Sequence, residues 1–394
     1  MSRIAYVGLD RQVHLVDSDG GNPQQLTLPI PRGAGAWGVL SGPQDGFSWP
    51  AWSPDGAWVA CFAVEGSDTE TGPVRVVSLS VDGVRQIEWA QLVGQAPIYV
   101  QWHPSGEAIS VLTQSGENLQ LTIIRRDRLG QVRTIDTGVP LFFNWTPDGG
   151  RVLVHVGSVG SNAGQLILRD PLGDAEDEVY DHAPGSFCAP VFPGPRPVYA
   201  VRAGDGVSEV VVSQLDGAGA RVLTARRGLL ALIPAPGGRN LVAVSAAPRG
   251  EGTPYQGLDI LDVSTGAARH LTDAECLAFF WSPDAEFLVV ASVDAPNNCV
   301  TWMRQPLDGG PARHLATFWP TRDVLFYLHF FDQYAQTHPI VSADGRHVVY
   351  AGYPAGGGRA DLSEAPRIYV KSTADDSPPV EVANGQFATF RPAT

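Results

Sequence analysis

Lysine is almost missing from these 394 residues: Lys371 is the only one, so the remaining 26 of the 27 basic residues are arginine. Against 41 acidic residues they leave a net charge of −14. That balance excludes nucleic acid as a partner, because such binding depends on Lys and Arg neutralising phosphates and releasing counterions. The arginine bias itself is the mark of a GC-rich gene rather than of an anion site. No apolar run reaches the roughly 18 residues of a membrane-spanning helix, and no secretory leader is visible, so no membrane insertion and a cytoplasmic location are expected. Cysteine is sparse. Cys61, Cys188, Cys276 and Cys299 are scattered without CxxC spacing, which argues against structural disulfides and zinc. Cys61, next to Phe62 in an apolar run, is expected to be a buried thiol. G-x-S-x-G is absent too, and with it the nucleophile elbow of an α/β-hydrolase. The glycine-rich stretch 355–359 has no following helix, so it reads as a loop rather than a phosphate cradle. The DSDG of 17–20 lacks the spaced carboxylates and terminal Glu of a calcium loop and reads as a turn.

What the chain has in abundance is punctuation. It carries 44 Gly and 32 Pro with 44% hydrophobic and 17% charged residues, the composition of a turn-dense all-β body. One pattern recurs: an apolar strand ending in an aromatic, then Ser, Thr or His, then Pro, then Asp or Gly, then a second apolar strand. It is clearest in SWPAWSPDGAWVACF (48–62), IYVQWHPSGEAISVL (98–112), LFFNWTPDGGRVLVH (141–155) and LAFFWSPDAEFLVVA (277–291). Weaker copies are CAPVFPGPRPVYAV (188–201), LALIPAPGGRNLVAV (230–244) and THPIVSADGRHVVYA (337–351). The aromatic slot falls at Trp52, Trp102, Trp145, Phe192, Pro234, Trp281, Val341 and Phe390, at intervals of about 42 to 60 residues, the length of one four-stranded propeller blade. In each Pro-Asp-Gly step, proline presets the first corner, Asp caps the backbone and Gly accepts positive φ. Asp55, Asp148, Asp284 and Asp344 are therefore turn formers rather than catalytic or metal-binding groups.

The last copy, GQFATFRPAT (385–394), stops just after its turn proline, and the strand it needs next is the one with which the chain begins, MSRIAYVG (1–8). These features predict a single all-β propeller domain over 1–394, with eight four-stranded blades, or seven as the alternative count. It would be closed by a blade shared between 1–30 and 385–394, an arrangement that leaves no long exposed sheet edge. VHLVDSDGGNPQQLT (13–27) followed by PAWSPDG (50–56) resembles the repeat of the TolB-type, or WD-like, propeller family. The resemblance implies a fold. It says little of function, since propellers host binding, scaffolding and catalysis alike.

One segment breaks the repeat. TFWPTRDVLFYLHFFDQYAQTHP (317–339) precedes an innermost strand and should lie at the mouth of the central channel, where ligands of such folds dock. It mixes aromatics with His329, Asp332, Gln333, Tyr334, Gln336 and His338. The bland alternative is that Phe326, Tyr327, Phe330 and Phe331 merely plug the channel. Three residues before the slot, the eight units carry Trp49, Tyr99, Phe142, Ala189, Ala231, Ala278, His338 and Phe387, so an aromatic wall should face a small-residue recess. The expected role is a non-enzymatic propeller with no cofactor, binding a small molecule or a protein partner's peptide. The candidate binding residues are His329, Phe331, Asp332, Gln333, Tyr334 and His338, assisted by Trp49, Tyr99, Phe142 and Phe387. Aromatic faces would supply contact area, and the polar side chains would supply direction. Two alternatives remain. Gln336-Thr337-His338-Pro339 with His329 resembles the manganese site of the oligogalacturonate lyases, which would imply a polysaccharide lyase with manganese at His329, Gln336 and His338. A protein-protein scaffold or adaptor with a filled channel is the other.

Overall fold

The computed structural model describes residues 2–28, 46–64, 73–157, 164–173, 175–180, 184–185, 188–248, 254–294, 299–354 and 364–393. The chain is nearly all β and is folded into a succession of small antiparallel sheets. Four sheets have four strands each, over 46–92, 96–138, 141–179 and 229–276, and a three-stranded sheet covers 198–227. The remaining strands form one continuous ten-stranded sheet. Two junctions make it continuous. Residues 318–320 pair with 352–354, and the long strand Val380–Phe390 serves two neighbours in turn. Its first half pairs with Arg367–Ser372; its second half pairs with Arg3–Gly8, with Ile4 opposite Phe390. The two ends of the chain thus share a sheet. Among the described residues no helix is long and apolar enough to cross a membrane, and the four cysteines are buried with no disulfide between them.

The Pro-Asp-Gly steps connect the first and second strands of their sheets, and their chemistry repeats atom for atom. The Ser53 hydroxyl donates to Asp55 Oδ1 at 2.6 Å and accepts from the Trp58 amide at 2.9 Å, while the Ala57 amide donates to Asp55 at 3.0 Å. Thr146 with Asp148, Ser282 with Asp284 and Ser342 with Asp344 make the same set. Gly56 takes φ +63° there, and Ala285 tolerates φ +55° at the equivalent position. Hydrogen bonds from Ser53 and the Ala57 amide hold the Asp55 carboxyl below its ordinary range. These aspartates are structural. The DSDG segment likewise turns after Val13–Asp17, with Asp17 paired to Arg3 at 3.0 Å.

The slot tryptophans carry a role that the repeat pattern did not disclose. Trp102 Nε1 donates to the Ala51 carbonyl at 3.0 Å, Trp281 Nε1 to Ile233 at 3.0 Å, and Trp52 Nε1 to Thr389 at 3.4 Å. Each acceptor lies one residue before the slot residue of the preceding unit, so these indoles tie neighbouring sheets together through their inner strands. Trp145 departs from the rule and donates to Ser110 Oγ at 2.7 Å.

Two of the weaker copies do not form full inner strands. Around Val191 and Val341 the pairing shrinks to single bridges, to Val198 and Val348. Pro190 and Pro193 flank the first and Pro339 precedes the second, and proline has no amide to give a ladder. The stretch 317–339 is also divided. Residues up to Pro320 complete the strand Arg313–Pro320, and the insertion proper is helical: α1, Arg322–His329, and α2, Phe331–Tyr334. Thr321 caps α1, accepting from the Val324 amide at 3.2 Å. Because strands alternate in direction, this connection lies at the same end of the sheets as the hairpins between second and third strands, opposite the Pro-Asp-Gly turns. The stretch 355–359 lies outside the described residues.

Candidate functional site

The inner strand of a sheet has an edge with no strand beyond it, and its buried N–H and C=O groups need partners from elsewhere. The insertion supplies them. Gln333 lies against the strand Leu141–Trp145 as a short extra strand would: its Oε1 accepts from the Phe143 amide at 3.2 Å, and its Nε2 donates to the Phe143 carbonyl at 3.0 Å. Asp332 Oδ2 accepts from the Ala189 amide at 3.3 Å. The Tyr334 hydroxyl donates to the Ile98 carbonyl, and the Tyr99 hydroxyl donates to the Gln333 carbonyl at 3.0 Å. Beyond the helices, the Pro339 carbonyl accepts from the Phe390 amide at 2.8 Å and from Thr389 Oγ1 at 3.0 Å. One short segment therefore satisfies inner strands drawn from residues 98 to 390.

Apolar packing completes the seat. Phe331 is fully buried, its ring 4.9 Å from Phe279, 5.7 Å from Tyr255 and 5.8 Å from Phe280. Its helix contacts the strands that carry Ala231 and Ala278, and Asp332 reaches Ala189. The three consecutive alanines of the column are thus the space that α2 occupies. On the aromatic side, Trp49 sits at a register shift with φ +54°, a conformation costing an L residue roughly 1–2 kcal/mol. The bulge turns its ring onto the insertion, 4.8 Å from Tyr334, 5.0 Å from Phe387 and 5.6 Å from Phe326. Removal from water shifts the acid–base groups within this packing. Burial pushes the Asp332 carboxyl up to about 6, its amide donors opposing part of the rise, and it pushes the His338 imidazole down to about 3.

The ten candidate residues therefore separate. His329 is exposed at the end of α1, its ring edge-on to Phe330. Phe331, Asp332, His338 and Phe387 are buried in the seat, and Trp49 is half-buried over it. Tyr99, Phe142, Gln333 and Tyr334 line a cavity of about 360 Å³ beside the insertion. Phe326 and Phe330 form its helical side, and Leu119, Gln114 and Glu117 its far rim. The last three come from around the hairpin between second and third strands of the 96–138 sheet. Counting strands along the repeat would have placed that hairpin at the insertion's end.

The manganese set does not fit. Gln336 Nε2 donates to the Asp332 carbonyl at 3.1 Å, and His338 Nδ1 is 2.7 Å from Thr337 Oγ1 with its ring among Trp49, Tyr99, Tyr334 and Phe387. An aromatic box without a carboxylate offers a divalent cation no compensation for its lost water. Among the described residues no three His, Cys, Asp or Glu side chains are grouped to hold a metal.

No family model and no curated protein sequence matches the chain. Solved structures do. A prolyl endopeptidase is similar with TM-score 0.54 at 12% identity, over 89% of this chain and 50% of that one. A eukaryotic initiation factor is similar with TM-score 0.52 at 12% identity, over 99% of this chain and 98% of its own. The fold is a β-propeller. TolB from Acinetobacter baumannii aligns at 17% identity and TM-score 0.41 over 79% of this chain. The chain spans 65% of that TolB and half of the endopeptidase. At these identities the likeness concerns the propeller and leaves its function open. The insertion lies against inner strands of these sheets, and the 360 Å³ cavity lies beside it.

Proposed function

We propose that this protein is a non-enzymatic binding propeller of eight blades, closed by the blade its two ends share. In this reading a small molecule or a short segment of a partner binds in the cavity beside the channel-filling insertion. The pairing of Ile4 with Phe390 and the Trp52 bond to Thr389 support closure, since they join the last strand to the first strand and to the 46–92 sheet. The observation that carries the functional reading is the cavity itself. It is concave, about 360 Å³, and walled by Tyr99, Phe142, Phe326, Phe330 and Tyr334, with few polar groups at its edge. That is the composition and size of a small-ligand site. A binding role is favoured over chemistry because Asp332, Gln333 and Tyr334, the polar groups nearest the channel, spend their hydrogen bonds on its wall.

The test is a thermal-shift and calorimetric screen of apolar amines, acids, sugars and blocked peptides against the wild type and Phe330→Ala. Phe330 is only partly buried, so its removal should leave the fold intact. A saturable ligand weakened at least about ten-fold by Phe330→Ala is expected, the loss of one good aromatic contact. A screen with no ligand, or ligands indifferent to that substitution, would move the function to another surface.

A further inference from the structure

The cavity beside the insertion has a charge character that its aromatic walls alone do not reveal. Glu117 is the one charged residue among the described residues that line it, and Gln114 and Gln333 are its side-chain amides. Five aromatic rings share that lining: Tyr99, Phe142, Phe326, Phe330 and Tyr334. Aromatic faces carry negative quadrupole density and attract cations, above all those too weakly hydrated to resist leaving water. Among the described residues no arginine or lysine lines the cavity to repel a cation, and the net charge of −14 steers cations toward the protein as a whole.

Resting on the binding-site reading above, we infer that the ligand is a small organic ammonium ion. Its apolar substituents would pack on the rings, and its charge would be balanced by Glu117 at the rim. The geometry suits a ligand entering from solvent. Phe326 and Phe330 are accessible on the insertion, with Phe326 37% exposed, whereas Tyr99 and Tyr334 form a fixed floor held by their hydroxyl bonds to Gln333 and Ile98. Such preorganisation spares the ligand most of the cost of ordering its site. Another cleft of similar size, lined by Arg125, Arg128 and Arg133, lies among the connections between third and fourth strands at the opposite end of the sheets and has the wrong sign for this ligand.

The experiment compares benzyltrimethylammonium with neopentylbenzene, which has the same shape and no charge, by ligand-observed NMR titration of the intact chain. The cation should bind at least ten-fold more tightly than the hydrocarbon. Glu117→Gln should cut that preference several-fold, and Phe330→Leu should weaken the cation while sparing the fold. Raising the salt concentration should weaken the cation and leave the hydrocarbon unchanged. Equal affinity for the two probes, or a preference indifferent to Glu117→Gln, overturns the ammonium assignment while leaving the cavity as a site. If neither probe binds while another class in the wider screen does so in a Phe330-dependent way, the ammonium assignment falls alone. If nothing binds, the site falls with it.

Discussion

Gln333→Leu isolates the contribution of one side chain to the seating of the insertion. The amide makes two hydrogen bonds, at 3.2 and 3.0 Å, to the amide and carbonyl of a single residue, Phe143, and both residues are buried. Leucine fits the space and cannot bond, so both backbone groups are left dry and unpaired at roughly 1–3 kcal/mol each. The apolar surface that leucine buries returns part of this, leaving a net loss of about 2–4 kcal/mol. Unfolding entropy scales with length, so for a chain of 394 residues about 1 kcal/mol corresponds to about 1 °C in Tm. The expected drop is therefore about 2–5 °C by calorimetry. Leu325→Gln is the control. Leu325 is 49% exposed on the outer side of α1, and its substitution should stay within about 0.5 kcal/mol of wild type. If Gln333→Leu behaves like the control, the insertion does not dock on the inner strand at Phe143 and the picture of an insertion bonded to that strand is wrong.

Other consequences concern pH and ring closure. Burial raises the Asp332 carboxyl from its ordinary range to about 6 in the folded protein, so its contribution is complete below about pH 4 and is lost as pH rises toward 6. The stability of wild type relative to Asp332→Asn should fall by about 2 kcal/mol between pH 4 and 6, whatever constant offset the amide introduces. The Cys188 and Tyr255 groups beside it titrate far above this range, and a flat difference between pH 4 and 6 would show that the carboxyl is not buried. Trp52→Phe removes the indole donor to the Thr389 carbonyl and should cost about 1 kcal/mol. The same substitution at Trp145, whose donor reaches Ser110 in the adjoining sheet, should leave hydrogen exchange of the C-terminal strand unchanged while Trp52→Phe speeds it. Equal exchange in the two variants would contradict the Trp52 bridge.

The strand repeat was legible because its turn chemistry is local. Ser53, Asp55 and Gly56 form their turn with atoms a few residues away, so the pattern appears wherever it is used. The shared sheet of the chain ends was legible for a related reason, since each end carries half of a pattern visible elsewhere. The alanines at 189, 231 and 278 also signalled a recess, though only the structure shows that α2 occupies it. What stayed hidden was the use of the insertion's polar side chains. Asp332, Gln333 and Tyr334 look like groups waiting for a ligand, and their partners are backbone atoms about 140 to 240 residues away, which no local pattern announces. The bulge at Trp49 was equally silent, because Pro50 and a register shift together turn the ring.

The central claim is that the helical insertion bonds to inner strands of several sheets, and site-resolved amide exchange tests it most directly. The Phe143 and Phe390 amides belong to different sheets, the Ala189 amide precedes the 198–227 sheet, and their acceptors are Gln333 Oε1, the Pro339 carbonyl and Asp332 Oδ2 respectively. All three should be strongly protected in the wild type, and Gln333→Leu should speed Phe143 while sparing Phe390. Rapid exchange at all three in the wild type would show that the insertion stands away from those strands.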